Sequence, residues 1–527
     1  MVIGTPRSRF MAIVLLFGMG IGGVWLAGSG IPGLQQSRSV SLVVDDVATQ
    51  AHVRDFCGAC HAIPHPGLLP RDSWAEEIPK AFRRYKASGR NDITVPDQAT
   101  IVEYFTRLAP AAMIIPNAPE GTESPVKFRT EIVPLPGTYK SAAVSFLATD
   151  SWPAANEQSA AKLLLCDMQS GWLHRFAWNS GTLTNEPLHK MKSPDHVTSC
   201  DFDGDGRQDY LLADLGIMQP SDELQGAVVL VPALAGSPPG KAITVKANLG
   251  RIADAQMADL DGDDDQDFVI AEFGFEKVGR LLWLETVSIK DGQPETKLHV
   301  LDPRHGSIHA PIIDLDGDGD MDVIALISQE FETIVAYMNN GRGAFEQRTL
   351  FQADSPSFGG SGLELIDLDR DGDIDVLFTN GDTLDTFQLK PFHAVNWLEN
   401  GGAGEFKHHK LATMPGAVKA VAGDLDNDGD LDIAAVAFCP PFLRHMVRPQ
   451  ILDTLLWLEQ TSPGQYTRHS LERAQVGHMA ITLGDFDGDH DLDIAVGEFS
   501  PFSPQSRDWL TIYWSQSSGN GLASAPD

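Results

Sequence analysis

DFDGDGRQD at 201–209, DLDGDDDQD at 259–267, DLDGDGDMD at 314–322, DLDRDGDID at 367–375, DLDNDGDLD at 424–432 and DFDGDHDLD at 485–493 are six versions of one nine-residue segment. Their starts lie 58, 55, 53, 57 and 61 residues apart. A period of that size built on a fixed turn predicts stacked supersecondary units, none of which can bury its apolar face alone. Behind each segment comes a short apolar run, DYLLA, DFVIA, DVIAL, DVLFT, DIAAV or DIAVG, so the turn joins strands rather than helices.

The residue types in the segment suit a hard cation, which takes about 6–8 oxygen ligands, and Gly at position 6 permits the sharp turn. Carboxylates recur at positions 1, 3, 5 and 9, with a backbone carbonyl available at position 7. The predicted calcium ligands are Asp201, Asp203, Asp205 and Asp209; Asp259, Asp261, Asp263 and Asp267; Asp314, Asp316, Asp318 and Asp322; Asp367, Asp369, Asp371 and Asp375; Asp424, Asp426, Asp428 and Asp432; and Asp485, Asp487, Asp489 and Asp493. An EF-hand would need Glu at position 12, where this chain has Leu212, Ile270, Ala325, Phe378, Ala435 and Val496. Asp264 and His490 stand where the other copies have Gly, so those two loops are expected to bind calcium more weakly.

Over about residues 126–516 the pattern resembles the FG-GAP or VCBS repeat of calcium-loaded β-propellers. The resemblance rests on the loops, on AEFG at 271–274 and GEFS at 497–500, and on a recurring third strand, LLWLE at 281–285, NWLEN at 396–400 and LLWLE at 455–459. EFKHHKL and QYTRHSL read as fourth strands, and four strands make a propeller blade. A further unit near residue 144 lacks the loop and brings the expected count to seven. The last unit runs out before a fourth strand, so VKFRTEIVPL at 126–135 is expected to complete it and remove the open edge.

Residues 57–61 read CGACH. In a C-x-x-C-H pentapeptide two thiols form thioethers to haem vinyl groups and the histidine becomes the proximal iron ligand, giving Cys57, Cys60 and His61 as the expected ligands of one covalent haem c. A thioredoxin-type dithiol would want a strand-to-helix setting, and a zinc site would want a second ligand pair. CGACHAIPHPGLLPRDSW followed by IVEYFTRLAPAAM resembles the small cytochrome c domain at the front of some bacterial repeat proteins. That resemblance implies a methionine ligand soon after the segment Trp74 to Pro79, where this chain has IPKAFRRY and no Met. Met113 is the first choice for the sixth ligand, His65 the second, and an open position the third. The expected fold is therefore mainly β, a seven-bladed calcium-binding propeller preceded by a small α-helical cytochrome c-like domain at 50–115.

Arg7 and Arg9 precede an apolar run from Phe10 to Ala27, which reads as an export signal. It is long for a cleaved signal peptide and nearly long enough for an anchor, and both readings stay open for residues 1–30. A linker at 31–49 and a flexible tail at 517–527 complete the layout. The chain carries 39 basic and 72 acidic residues, a net charge of -33, which disfavours nucleic acid and anionic lipid as partners. The six loops hold 30 of those acids, so the charge is largely a set of metal ligands.

Long connections at 213–226, 380–394, 438–452 and 499–508 are the places expected to carry binding. His305, His393, Arg444, His445 and His478 fall in or near the face bearing them, and His196 and His309 sit five residues ahead of their loops on strands expected to line a channel. Cys166 and Cys200 end strands in neighbouring units and are candidates for a disulfide; Cys439 is the odd one. The expected function is an exported electron-transfer protein with the propeller as docking platform for a redox partner or small-molecule ligand. An oxidoreductase passing electrons to its haem, and a calcium-dependent adhesion protein, are the alternatives; no catalytic constellation appears.

Overall fold

Each Asp-rich segment turns the chain from one strand into the next, and the strands gather into seven antiparallel sheets. In the computed structural model, residues 47–516 are described except 60, 116, 120, 151–159, 180, 234–239, 387, 403, 440–451, 474–476 and 502–506. Blade 1 runs through Val144–Asp150, Lys162–Asp167, Trp172–Asn179 and Thr182–Lys190. Blades 2 to 6 occupy residues 194–249, 252–302, 307–352, 360–413 and 417–473 in the same strand order. Blade 7 has three strands of its own, His478–Gly484, Asp493–Glu498 and Asp508–Ser515, and takes its fourth from Phe128–Pro134. Phe128 pairs with Ser515 and Val133 with Leu510, so the expected closure by the N-terminal strand is what the chain does.

Blade 4 alone has a broken first strand, Ser307–His309 and Ile312–Ile313. Pro311 lies in the break, where it has no N–H to give to the ladder. The first strands of successive blades pack on one another and form the inner ring.

The second strands alternate nothing; DVLFT and its counterparts are buried on both faces because each sheet is sandwiched between two others. Seven apolar clusters result, one in each interface between consecutive blades. Position 2 of every Asp loop plugs into one of them. Phe202, Leu260, Leu315, Leu368, Leu425 and Phe486 are all buried and join the cluster between their own blade and the next. The interface between blades 1 and 2 lacks such a plug, since blade 1 has no loop, and is tied instead by Tyr210 donating to Asp150 at 3.0 Å.

Ahead of the propeller lie α1 (Val47–Cys57), α2 (Arg71–Ala87) and α3 (Gln98–Leu108). Their shared core is Val53, Trp74, Ile78, Ile101 and Phe105, and the Trp74 indole donates to the Pro66 carbonyl at 2.7 Å. The helical unit rests on the propeller face away from the Asp loops. Arg84 in α2 makes two bonds of 3.0 and 3.1 Å to Glu276 in the blade 3 connection, and Gln388 of blade 5 donates to Ser73 at 3.1 Å. Ile115 packs on Leu389, Cys439 and Leu452, and Thr122 bonds to the Arg468 carbonyl, carrying the chain down the side of blade 6.

Candidate functional site

The six Asp loops share one hydrogen-bond plan. The position 1 carboxylate accepts the amide of position 6, as Asp201 does from Gly206 at 2.9 Å and Asp485 from His490 at 3.0 Å. Position 5 accepts the amide of position 7, as in Asp318 with Asp320 at 2.9 Å. Position 9 does something the spacing alone does not announce. One oxygen of Asp375 accepts from Leu368 N at 3.0 Å and the other from Asn400 N at 2.7 Å, so it clips its loop to the far end of the third strand. Asp209, Asp267, Asp322, Asp432 and Asp493 repeat both bonds. Asp375→Ala would leave two buried amides unsatisfied, an expected loss of about 2–4 kcal/mol measurable by denaturant unfolding.

Positions 4 and 6 both take a left-handed backbone in every loop. At position 6 this includes Asp264 (φ 69°) and His490 (φ 75°), as expected, and at position 4 it includes Arg370 (φ 60°) and Asn427 (φ 61°). Two loops that looked unstrained therefore carry a strained residue of their own.

With this backbone the carboxylates converge. Oxygens of Asp201, Asp203 and Asp209 lie within 4.8 Å of one another, as do those of Asp314, Asp316 and Asp322. In three further groups the members are positions 1, 3 and 5: Asp259, Asp261 and Asp263; Asp367, Asp369 and Asp371; Asp424, Asp426 and Asp428. One oxygen each of Asp261 and Asp430 is buried with no hydrogen-bond partner. Burial, with a share from neighbouring loop carboxylates, pushes Asp430 up to about 6 and Asp432 and Asp493 up to about 7. In the Asp261 and Asp430 loops one buried carboxylate oxygen each is left without a donor.

Three loops have a further acid beside them. Glu285, Glu399 and Glu459, the last residues of the W-L-E runs, add to burial and the loops' own carboxylates in pushing Asp261, Asp369 and Asp426 up. Each accepts from a histidine of the fourth strand: His299 at 2.5 Å, His409 at 2.6 Å and His469 at 2.6 Å. Each histidine in turn lies against the tryptophan two residues before the Glu, with centroids 4.3, 4.8 and 4.8 Å apart. The signal for these clamps is the cross-strand pairing of Trp283 with His299, Trp397 with His409 and Trp457 with His469.

In the helical unit, Cys57 ends α1 and is half-buried; burial pushes its thiol up to about 11. Cys60 lies outside the described residues. His61 Nδ1 donates to the Ala62 carbonyl at 2.7 Å, which turns Nε2 away from that bond. His65 has the opposite arrangement: its Nδ1 accepts from Gly67 N at 3.0 Å, capping the short helix Pro66–Leu68, which leaves its proton on Nε2. Met113 is half-buried in the segment leaving α3.

The remaining candidates disperse. Cys166 and Cys200 are free thiols, so the disulfide is not formed: Cys166 is buried between blades 1 and 2 and Cys200 between blades 2 and 3. His305 pairs with Glu330 at 3.1 Å and His478 with Glu472 at 2.7 Å. His393 is buried against Asp382, which also holds the buried Lys390. Arg444 and His445 lie outside the described residues. His196 and His309 do line the inner ring, in the first strands of blades 2 and 4.

Residues 314–378 match the family model of the FG-GAP-like repeat. The matched stretch starts at the blade 4 loop and ends inside the second strand of blade 5, so it holds two Asp loops. Among solved structures, crystals of BBS1N in complex with ARL6DN, one soaked with lead and one with mercury, are similar at 11% and 10% identity. Each has a TM-score of 0.44 and covers 75% of this chain and 98% of the other. No curated protein matches.

Proposed function

We propose that this FG-GAP-repeat propeller is the calcium-stabilised docking or binding platform of an exported monohaem c-type electron-transfer protein. The observation that carries the haem reading is His61: in CGACH its Nδ1 donates to the Ala62 carbonyl, the outer bond by which a ligating imidazole is oriented, and Nε2 is the nitrogen left to meet iron.

Cys57 and Cys60 would hold the haem and His61 would ligate it; bound there, it supplies a one-electron couple. His65 is already used as a cap, which leaves Met113 as the better distal ligand. Calcium would be held by the Asp loops, in two of which a buried carboxylate oxygen, of Asp261 or of Asp430, has no hydrogen-bond partner. The leader at 1–30 supports export, the compartment in which haem is attached covalently. Arg84–Glu276 and Ser73–Gln388 fix the helical unit on the propeller, so the two would present one docking surface.

Visible spectra of chain exported by a host competent in covalent haem attachment test the reading. The expected result is a haem that stays with the chain through denaturation and is lost in Cys57→Ala. Met113→Ala should lower the reduction potential and remove the sulfur-to-iron band. A colourless chain, or one whose two thiols hold zinc, would overturn the proposal.

A further inference from the structure

The clamps of tryptophan, glutamate and histidine are present whole in blades 3, 5 and 6 and missing whole from blades 2, 4 and 7. In the clamped blades the glutamate is the residue before the amide that bonds position 9. That place is taken by Pro232, Met338 and Trp514 in the other three. Where the histidine would pair across the strands, those blades have Ile243, Arg348 and Glu131.

Three properties of the Asp loops follow the same division. In the clamped loops the carboxylates that converge are positions 1, 3 and 5, whereas in blades 2 and 4 they are positions 1, 3 and 9. The Trp283 indole shows one way this arises, since it donates to Asp267 at 2.9 Å and so engages an oxygen of position 9. Both buried carboxylate oxygens without a hydrogen-bond partner, on Asp261 and Asp430, are in clamped loops. Each clamped loop also holds one non-glycine residue in the left-handed region, Asp264, Arg370 or Asn427; the fourth such residue, His490, is in blade 7, which has no clamp.

Each glutamate acts electrostatically on position 3 of its own loop, Glu285 on Asp261, Glu399 on Asp369 and Glu459 on Asp426. Left to itself it would swing away from these acids into water. Its histidine bond, on an imidazole that lies against the tryptophan, keeps it facing them. Exposed lysines temper two of the three, Lys297 at 2.8 Å from Glu285 and Lys407 at 3.2 Å from Glu399. Among the described residues no lysine pairs with Glu459.

We propose that Glu285, Glu399 and Glu459 are outer carboxylates of three calcium sites, held by their clamps where their charge draws the ion and offsets part of the strain at Asp264, Arg370 and Asn427. This rests on the calcium reading of the loops. It makes the blade 7 loop, strained at His490 and without a clamp, the weakest of the four strained loops.

Titration of the full, calcium-stripped chain with calcium, in competition with a chromophoric chelator, tests it. Glu459→Gln is expected to bind as many ions as the unaltered chain, with one of them held about fivefold less tightly and the difference shrinking as salt is raised. Glu459→Asp keeps the charge and is expected to stay within about twofold. A merely structural role would reverse the two, because glutamine can still accept from His469 while the shorter aspartate cannot reach as far. Glu399→Gln repeats the measurement in blade 5 should Glu459→Gln fail to fold. Calcium held as tightly by the glutamine variants as by the unaltered chain, or lost as much in Glu459→Asp, would overturn the proposal and leave the calcium reading standing. An unaltered chain that binds no calcium would overturn that reading and the proposal with it.

Discussion

Stripping calcium with a chelator should lower the melting temperature by on the order of 10 °C or more, with calcium and not magnesium restoring it. The size follows from where the loops sit. A ligand present at a hundred times its dissociation constant adds about 2.7 kcal/mol for each site it fills in the folded chain only. Six such loops are available, and each holds between four and six aspartates whose mutual repulsion a bound ion would relieve. Their effect does not stop at the surface. Position 2 of each loop is a buried plug between its blade and the next, and position 9 is bonded to the end of the third strand. A loop that opens for want of its ion therefore loosens a blade interface, and six of the seven interfaces carry a plug. Loss should be graded: the four loops with Asp264, Arg370, Asn427 or His490 at a left-handed position are expected to empty before the two that have glycine at both such positions. Differential scanning calorimetry at several free calcium levels reads both effects. An unchanged transition in chelator would mean that the loops are polar turns held by their own amides.

What could be read before the structure was whatever is local along the chain. The nine-residue loops, the apolar strands behind them and the missing fourth strand of the last unit all depend on residues within one period of each other, and together they give blade number and closure. The left-handed bend at position 4 was present in the sequence as Gly204, Gly262, Gly317 and Gly488, but Arg370 and Asn427 hid it. Cross-blade relations were not legible. Cys166 and Cys200 end strands in neighbouring blades, yet the pleat sends them into different interfaces, and a one-residue change of face decides that. The inner ring carries a register shift repeated in seven strands and places Lys419 against Phe146 although no spacing links them. Position 9 shows the mixture: its recurrence as an acid is visible in the sequence, while its role as a clip to the third strand depends on the length of each hairpin.

Removing residues 126–135 should abolish cooperative melting rather than merely lower its midpoint. Phe128–Pro134 is the outermost strand of blade 7 and covers the whole of Asp508–Ser515. Without it that strand presents a row of unpaired amides and carbonyls along an apolar sequence, WLTIYW, which is a template for pairing with another chain. Buried contacts go with it. Val133 and Leu135 belong to the cluster that joins blade 7 to blade 1, where Trp509 donates to Asp167 at 2.8 Å, and Glu131 accepts from the Trp514 indole at 3.0 Å. Arg507 loses the carbonyl of Leu135, to which it donates at 3.1 Å. The damage thus falls on the one interface that joins the end of the ring to its beginning, and a ring opened there has two blades each facing water with half a core. A variant in which 126–135 is replaced by a Gly/Ser segment of equal length keeps the helical unit tethered and isolates the strand's contribution. Calorimetry and size-exclusion chromatography should show a broad transition and self-association; a single sharp transition in a monomer would show that three strands suffice to close the ring.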